Sequence, residues 1–494
     1  MLVHQLICQG KGEEPALFDK QQTVTYGQLQ QQVERYRSYF YQQGIRPGEN
    51  VGIVSKNSVE FVYSYLAIVS LGAVAVPLNF QLVSREISYI VQDARMRHIV
   101  TMQPLKLDAA RFGYTQKVHQ LIISKFSAEI DKMCLSPAPV AREFAGDTVA
   151  VIIYTSGTTG YPKGAMLTHD NLISDARAFS EAVLIKAEDN VLCILPMFHC
   201  FAWTCAVLTP LLKGAAITIT DNFSIRENIS LIRNSGLTVV FGIPALYKLF
   251  ATWGTPEDFA RVRLFISGGS SLPQEILRQF QAKMGKAIVE GYGLSEASPV
   301  VTVNPVDKTK TGSVGKALPG IRVCIIDVDN AQVLPEGEIG ELLVQGPVVM
   351  KGYYNLPEES AQAVRQGWLH TGDLAYQDEA GYIFIVDRLK DMIIAGGENI
   401  YPREIEELIY TYPGVLEAAV IGVPDKLRGD YARACVVPEE GQTLNIKKLR
   451  NYLKENLAAY KIPKEIVLCD SLPKNATGKI LKRVLREQAQ VSRQ

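Results

Sequence analysis

Residues 149–164 read VAVIIYTSGTTGYPKG, an apolar run followed by a loop rich in glycine and hydroxyl side chains. The β-branched run predicts a buried strand. Seven of the ten residues at 155–164 are glycine, serine or threonine, and Lys163 adds a positive charge. Glycines let backbone N–H groups approach a polyanion and hydroxyls add donors, so the stretch predicts a polyphosphate-binding loop after a strand. The Walker A pattern G-x-x-x-x-G-K-[ST] is absent from it.

The charge balance of the whole chain favours small-molecule partners. Its 494 residues contain 51 Lys+Arg and 51 Asp+Glu. A net charge of zero gives no electrostatic basis for binding nucleic acid or an anionic membrane. The most apolar stretch, 63–80, is interrupted by polar residues, glycine and proline, so we expect no membrane span. The first fourteen residues lack the features of a secretory signal, and we expect a cytoplasmic protein.

The eight cysteines favour neither a disulfide scaffold nor structural zinc. They form no C-x-x-C pair and lie near no histidines at zinc-like spacing. We expect Cys200 and Cys205 to be buried thiols.

Periodicity predicts an α/β fold. Short β-branched runs alternate with amphipathic segments through the first half, as expected when helices cover both faces of largely parallel sheets. Two helix starts carry capping signals, Thr25 with Gln28 and Asn57 with Glu60.

The pattern changes twice towards the C-terminus. After about residue 312, hairpin-like strands indicate a β-rich subdomain. From about residue 388, helices and strands suffice for a compact α+β domain. We therefore expect a large N-terminal portion, 1–389, and a small domain, 390–494, with a boundary near Lys390.

Six further motifs follow the phosphate loop. They are Ser267-Gly268-Gly269-Ser270, Gly291-Tyr292-Gly293-Leu294-Ser295-Glu296, Thr371-Gly372-Asp373, Asp387-Arg388-Leu389-Lys390-Asp391, Gly396-Gly397-Glu398-Asn399 and Pro473-Lys474-Asn475-Ala476-Thr477-Gly478-Lys479. In content and order they resemble the AMP-forming adenylating enzymes, which include acyl-CoA synthetases, aryl-CoA ligases, peptide-synthetase adenylation domains and luciferases.

The resemblance implies a nucleotide site. Tyr292 can stack on adenine, and Ser295, where the family usually has threonine, can donate to the α-phosphate. Asp373 can accept from the ribose diol, and Arg388 can donate to the sugar or phosphate. The residues that the resemblance assigns to ATP and AMP are Thr155, Ser156, Gly157, Thr158, Thr159, Gly160, Lys163, Gly269, Ser270, Gly291, Tyr292, Gly293, Leu294, Ser295, Asp373, Arg388 and Lys479. It assigns Thr155 and Glu296 to Mg²⁺, which prefers oxygen ligands.

The resemblance also implies a two-step reaction. A carboxylic acid attacks the α-phosphate of ATP and releases pyrophosphate, and the thiol of coenzyme A then expels AMP. Lys479, Glu296 and His199 are the implied catalytic residues, with Lys479 stabilising the charge on the leaving pyrophosphate. The small domain is expected to rotate about Lys390 between the steps.

The expected acid is hydrophobic. Residues 196–204 resemble the aromatic-histidine element of acyl- and aryl-CoA ligases and lack the aspartate of amino-acid-activating relatives. The implied acyl and CoA residues are His199, Phe241, Gly242, Pro244, Gly269, Gly291, Gly293, Val300, Gly396 and Gly397. Most are apolar or glycine, with no partner for a second carboxylate. A fatty or similar monocarboxylic acid is the leading substrate, and an aryl acid such as a benzoate or cinnamate is the alternative.

The acceptor and the chemistry carry their own alternatives. No carrier domain follows Gln494, so we expect free CoA, with the phosphopantetheine of a carrier protein as the alternative. A nucleotide-binding regulator without activity would have lost Lys479, Glu296 or Asp373, and all three are present. Residues 472–494 carry six Lys and Arg against one Glu, which predicts a basic end suited to phosphates.

Overall fold

The part of the chain that the structure describes contains twenty-six strands. The structure, a computed structural model, describes residues 1–130, 132–133, 135–139, 144–155, 162–221, 224–395, 398–425, 429–474 and 478–491. The first fifteen strands are β1 Pro15–Phe18, β2 Thr23–Thr25, β3 Asn50–Val54, β4 Val74–Leu78, β5 His98–Thr101, β6 His119–Ile122, β7 Val149–Thr155, β8 Lys163–Thr168, β9 Asn190–Cys193, β10 Ala216–Ile219, β11 Val239–Gly242, β12 Leu264–Ser267, β13 Ile288–Gly293, β14 Val300–Val303 and β15 Lys316–Ala317. The others are β16 Arg322–Ile326, β17 Gly340–Gln345, β18 Gly352–Tyr353, β19 Val364–Arg365, β20 Trp368–Gln377, β21 Ile383–Arg388, β22 Ile393–Ala395, β23 Glu398–Ile400, β24 Val415–Asp425, β25 Gly429–Pro438 and β26 Glu465–Leu468.

Within the described ranges, fourteen α-helices connect and cover these strands. They are α1 Tyr26–Gln42, α2 Val59–Ser70, α3 Ser84–Asp93, α4 Ile123–Ile130, α5 His169–Ala182, α6 Cys200–Trp203, α7 Thr209–Lys213, α8 Ile225–Asn234, α9 Pro244–Trp253, α10 Gln274–Met284, α11 Pro357–Ala363, α12 Pro402–Tyr410, α13 Ile446–Asn456 and α14 Lys482–Val491. A π-helical turn, Thr204–Leu208, joins α6 to α7.

Two large sheets carry the expected parallel pairing. A seven-stranded sheet has the order β18-β8-β7-β4-β3-β5-β6, and a nine-stranded sheet has the order β15-β14-β13-β12-β11-β9-β10-β1-β2. In the second sheet β10, β9, β11, β12 and β13 are all parallel. Helix α2 is almost wholly buried, and its side chains share one core with residues of both sheets. The predicted α/β fold with covered sheets is confirmed.

Two five-stranded sheets follow later in the chain. One contains β16, β17, β20, β19 and β21, all paired antiparallel, as the expected β-rich subdomain requires. The other contains β22 to β26, and all of its strands lie at or after residue 393. Helices α12 and α13 share a separate hydrophobic core with this last sheet.

One predicted helix cap is confirmed and one is wrong. Thr25 caps α1, accepting from the backbone N–H of Gln28, whose side chain accepts from Thr25 N at 2.9 Å. Asn57 does not cap α2, because Ser58 does so one residue later. The Asn57 amide instead donates to the Leu195 carbonyl at 2.9 Å and so ties the start of α2 to the nine-stranded sheet's loops.

A polar seam joins the last sheet and its helices to the rest of the chain. Lys248 Nζ of α9 lies 3.3 Å from Glu439 Oε1. At the start of α10 the N–H of Gln274 donates to Glu407 Oε2 of α12 at 3.2 Å. Arg403, also on α12, donates to the Ile385 carbonyl of β21 at 2.6 Å. The last two contacts hold α12 against the start of α10 and against β21.

Candidate active site

The carboxyl ends of three parallel strands bring several predicted residues to one edge. The register aligns Gly242 of β11 with Ser267 of β12, and Ser267 with Glu290 of β13. Phe241, Gly269 and Gly291 therefore lie near the same sheet edge, where open α/β sheets bind their ligands. Gly269, followed by Ser270, has a φ of +80°, which favours glycine because a side chain would be strained there.

The motif from Gly291 to Glu296 passes close to its neighbours. A Cβ on Gly293 would lie 1.7 Å from the carbonyl oxygen of Pro299, so no other residue fits without moving the chain. Leu294 leads from β13 into a short 3₁₀ turn, Ser295–Ala297. The Ser295 hydroxyl lies 3.2 Å from Cys200 Sγ.

Three predicted nucleotide residues form one hydrogen-bonded group. Strand pairing places Asp373 opposite Arg388. Arg388 Nε lies 3.2 Å from Asp373 Oδ1, and the Tyr292 hydroxyl donates to Asp373 Oδ2 at 2.6 Å. Burial, and then the negative charge of Asp373, raise the pKa of Tyr292 well above its usual value. Tyr292 therefore stays protonated and keeps the carboxylate oriented.

Lys479 lies beside this group although it is distant in sequence. Burial lowers the pKa of Lys479 to about 8, and repulsion by Arg388 adds to the effect while Asp373 opposes it. The lysine follows Gly478, where a Cβ would lie 2.7 Å from the Ile243 side chain. The loop between β26 and α14 is thus packed against the loop after β11, and it carries the lysine to the carboxyl edge of the sheet.

His199 caps the short helix α6. Its Nδ1 accepts from the backbone N–H of Phe201 at 3.3 Å. Burial lowers the pKa of His199 to about 4, and the positive charge of Lys479 contributes. The imidazole is therefore neutral at physiological pH and lies within electrostatic range of Lys479.

Aromatic rings surround the predicted acyl residues. The rings of Phe201 and Phe241 meet edge to face with centroids 6.0 Å apart, and Phe179 lies 5.9 Å from Phe241. A Cβ on Gly268 would lie 2.8 Å from the Phe201 ring, so that glycine makes room for it. Val300 is buried at the start of β14.

Part of the predicted phosphate loop is described. Strands β7 and β8 pair Thr155 with Lys163 across its base. Ser156, Gly157, Thr158, Thr159 and Gly160 lie outside the described residues, as do Gly396 and Gly397. The Lys163 ammonium lies 5.5 Å from the centroid of the Tyr353 ring, whose hydroxyl donates to Glu296 Oε1 at 2.9 Å.

The likeness to known proteins identifies the family. Residues 5–354 match the family described as AMP-binding enzyme, and residues 404–479 match the AMP-binding enzyme C-terminal domain. The chain belongs to the AMP-binding enzyme family. The resemblance inferred from the motifs is thereby confirmed.

The relatives of this AMP-binding enzyme include a CoA synthase and a CoA ligase. It is 35% identical over 471 residues to a feruloyl-CoA synthase from Amycolatopsis sp, covering 94% of this chain and 93% of the relative. This enzyme is also 34% identical over 485 residues to a long-chain-fatty-acid–CoA ligase from Bacillus subtilis, covering 90% of this chain and 86% of the relative. The prediction of an AMP-forming acid–CoA ligase is confirmed at this level.

Two solved structures of MatB from Rhodopseudomonas palustris share the fold over 99% of both chains. The ATP-bound form is 33% identical to this AMP-binding enzyme with a TM-score of 0.90, and the apo form is 32% identical with a TM-score of 0.78. The whole-chain arrangement described above is therefore closer to the ATP-bound form.

Three residues near the site escaped prediction. Cys200 is buried, as expected of a thiol, but it also contacts Ser295. Tyr353 lies 57 residues from its partner Glu296, so no local pattern could reveal it. Asp175 is fully buried on α5 and accepts from the N–H of Val300 at 3.2 Å. A buried acid on a helix of mixed composition gives no signal in the sequence.

The predicted basic C-terminal end is largely neutralised. Lys482 pairs with Glu406 at 2.8 Å, and Arg486 pairs with Asp391 at 2.6 Å. Further pairs join Lys474 to Glu417 and Arg483 to Glu487. The expectation of an end suited to phosphates was wrong for these four side chains, because they bind carboxylates within 390–494.

In the described part of the chain, no helix combines the length and the apolar character that crossing a membrane requires.

Proposed function

We propose that this enzyme activates a hydrophobic monocarboxylic acid as its acyl-adenylate with release of pyrophosphate, and then transfers the acyl group to coenzyme A in the cytoplasm. The observation that supports this most strongly is that Lys479 lies within electrostatic range of Arg388 and Asp373, and that Asp373 also binds Tyr292 of the Gly291–Glu296 motif. These are the groups that a bound nucleotide needs for its phosphates and its ribose.

Nucleotide binding is assigned to the hydrogen-bonded group and the phosphate loop. Asp373 and Arg388 would hold the ribose, because a carboxylate and a guanidinium complement its hydroxyl pair. Tyr292 supplies an aromatic face for adenine. Ser295 and Lys163 would bind phosphate oxygens, together with the predicted loop residues 156–160.

Glu296 fits a magnesium ion. One oxygen of its carboxylate accepts a hydrogen bond from the Tyr353 hydroxyl. Oxygen ligands are those that Mg²⁺ prefers. When bound with ATP, the ion would neutralise charge on the phosphates. Thr155, at the end of β7, would be the second protein ligand.

Lys479 would act in the first step. The carboxylate oxygen of the acid attacks the α-phosphorus, the bond to the β-phosphate oxygen breaks, and negative charge grows on pyrophosphate. An ammonium held near that oxygen stabilises this charge where water is largely excluded. Neutral His199 would lie between the acid and the path of the incoming thiol.

The two parts of the chain are assigned different tasks. We place residues 1–389 in the nucleotide and acid site, and residues 390–494 in a mobile domain with Lys390 as the hinge. Two observations support this. The last sheet takes all its strands from residue 393 onward, and the seam to the rest of the chain is polar. For the second step, the domain would present Gly396 and Gly397 to the pantetheine arm.

The acid could also be an aryl acid, and one observation favours it. The ring of Phe241 meets those of Phe179 and Phe201, and aromatic side chains near the acid would suit another ring. Sequence identity to the feruloyl-CoA synthase and to the long-chain-fatty-acid–CoA ligase differs by one percentage point and does not decide between the classes.

A pyrophosphate-release screen tests the proposal. Acids of graded chain length and aromaticity are supplied with ATP and Mg²⁺, with and without CoA, and acyl-CoA is quantified by mass spectrometry. We expect release with fatty or aryl acids and thioester formation only when CoA is present. Release with amino acids alone, or thioester formation only on a carrier protein, would contradict the proposal.

A further inference from the structure

Cys200 contacts a residue of the proposed nucleotide site. Its sulfur lies 3.2 Å from the hydroxyl oxygen of Ser295, within hydrogen-bond range, although the two residues are 95 positions apart in the chain. Cys200 is buried on α6, whereas Ser295 is half-buried at the start of the 3₁₀ turn Ser295–Ala297. Among the described residues, no other side chain hydrogen-bonds the Ser295 hydroxyl. The thiol is therefore the group that can fix the direction of this hydroxyl.

A second contact joins the same two segments. Thr204, one helical turn after Cys200, donates from its hydroxyl to the carbonyl oxygen of Ser298 at 3.0 Å. Ser298 follows the 3₁₀ turn directly, and its own hydroxyl donates to the Val348 carbonyl at 2.7 Å. Thr204 thus holds the backbone at the end of the turn, while Cys200 contacts the side chain at its start.

The chemistry of the two groups gives each one role. Burial raises the pKa of Cys200 to about 12, so the sulfur keeps its proton at neutral pH. A phosphate oxygen without a proton only accepts hydrogen bonds, so Ser295 has to donate its single proton when it binds a phosphate. The serine oxygen is then left to accept, and the S–H of Cys200 is a donor within reach.

A serine depends on such a partner more than a threonine would. The serine side chain can occupy several staggered χ1 positions, and each of them points the hydroxyl in a different direction. The extra methyl group on the Cβ of threonine restricts χ1. Ser295 lacks that methyl, so its contact with Cys200 selects one position.

We propose that Cys200 is a positioning residue for adenylation, and that its thiol holds the Ser295 hydroxyl towards the α-phosphate of ATP. This inference rests on the proposed function, in which Ser295 binds a phosphate oxygen, and adds a residue to that site. The geometry at phosphorus changes during the attack, whereas Asp373 and Arg388 would hold the ribose throughout. A misdirected hydroxyl should therefore lower kcat more than it raises the KM for ATP.

A comparison of kcat with KM tests the proposal. Acid-dependent ATP–pyrophosphate exchange is measured with the best acid of the pyrophosphate-release screen. We expect Cys200→Ala to lower kcat about fivefold, which corresponds to about 1 kcal/mol for one hydrogen bond, and to change the KM for ATP by less than about twofold. Cys205→Ala is the matched control, because Cys205 is a fully buried thiol in the adjoining π-helical turn. Its exchange rate should stay close to that of wild type.

Further variants separate positioning from packing. Cys200→Ser retains a donor and should keep most of the exchange rate. Ser295→Thr restricts χ1 by itself, so adding Cys200→Ala to it should lower exchange by about twofold or less. Adding Cys200→Ala to Ser295→Ala should cause no further loss, because the hydroxyl that the thiol positions is gone. If alanine lowers the thermal unfolding midpoint, Cys200→Val takes its place, since valine fills the space without a donor.

The outcomes separate this inference from the proposed function. Equal slowing by Cys200→Ala and Cys205→Ala, or an additive loss in the double variant with Ser295→Ala, would overturn it and assign Cys200 to packing. Full activity of Cys200→Ala, or no recovery with Ser295→Thr, would overturn it as well. If the wild-type enzyme shows no exchange with any acid, the proposed function itself fails.

Discussion

In the proposed mechanism, Lys479 is the residue on which the first step depends most. We expect Lys479→Ala to lower acid-dependent ATP–pyrophosphate exchange by a hundredfold or more, since an electrostatic contact to the leaving group contributes roughly 3–4 kcal/mol. Thioester formation from a supplied acyl-adenylate should be nearly unchanged, because that step needs no pyrophosphate. Intact exchange in the variant would show that another group stabilises the leaving oxygen.

The same lysine sets a pH dependence. Its pKa, lowered to about 8, means that the ammonium is present below pH 8 and is lost as the pH rises through that value. We expect kcat/KM of ATP–pyrophosphate exchange to fall above about pH 8. Lys479→Arg keeps its charge over this range, so its residual activity should show no such fall. An identical fall in both proteins would assign the titration to another group.

At this scale, motif residues could be predicted but their partners could not. Tyr292, Asp373 and Arg388 were found because each lies in a short pattern with its own chemistry. Their direct contacts were not foreseeable, since the hydrogen bond from Tyr292 to Asp373 spans 81 residues. Asp175 and Tyr353 lack any local pattern, and only tertiary packing reveals what they touch.

The element proposed to separate the two steps is the short 3₁₀ turn Leu389–Asp391, which contains Lys390. Lys390→Pro should fix φ at the proposed hinge and restrict rotation of the small domain. We expect ATP–pyrophosphate exchange within about twofold of wild type and thioester formation reduced tenfold or more. Lys390→Ala is the control, since it removes the side chain without restricting the backbone. Equal loss in both variants would indicate a role for the ammonium instead.

Element types were more predictable than their ends and caps. The start of α1 was correct because Thr25 and Gln28 had no competing partners. The start of α2 is shifted by one residue because Asn57 Oδ1, the oxygen that would cap the helix, accepts instead from the distant N–H of Met197 at 2.8 Å. The pairing of strand β13 was harder still to predict. It pairs in parallel with β12 and antiparallel with β14, and the alternation of apolar and polar residues does not encode that arrangement.

At the scale of the whole molecule, a buried histidine pair predicts acid sensitivity. Burial lowers the pKa of His169 to about 3 and that of His4 to about 4, so both are neutral in the folded chain. The unfolded chain binds protons at its usual pKa near 6.5, so stability is lost as the pH falls below that value. The loss approaches about 1.4 kcal/mol per pH unit for each histidine.

Thermal unfolding midpoints at pH 7 and pH 4.5 check this expectation. His169→Gln should unfold at a lower temperature at pH 7, because the N–H of Val3 donates to His169 Nδ1, but its midpoint should change less with pH. His119→Gln is the control, since His119 is exposed. A wild-type midpoint that does not change between the two pH values would contradict the expectation.

The large sheets could be predicted from the sequence, but the seam between the chain's two parts could not. Alternating patterns report which face of a strand is buried, and that suffices for an α/β fold. Lys248 and Glu439 are ordinary surface residues by pattern, and their pairing at 3.3 Å depends on how two separate cores are oriented.

We expect that seam to make the enzyme responsive to ionic strength. The Glu439 side chain is 44% exposed, so dissolved ions reach the pair and weaken it. At saturating ATP, added potassium chloride should slow adenylation relative to thioester formation, because it loosens the arrangement that places Lys479 at the nucleotide. The double variant Lys248→Gln, Glu439→Gln should show a flatter response. Equal slowing of both half-reactions would mean that the pair does not set the balance between the two working arrangements of the enzyme.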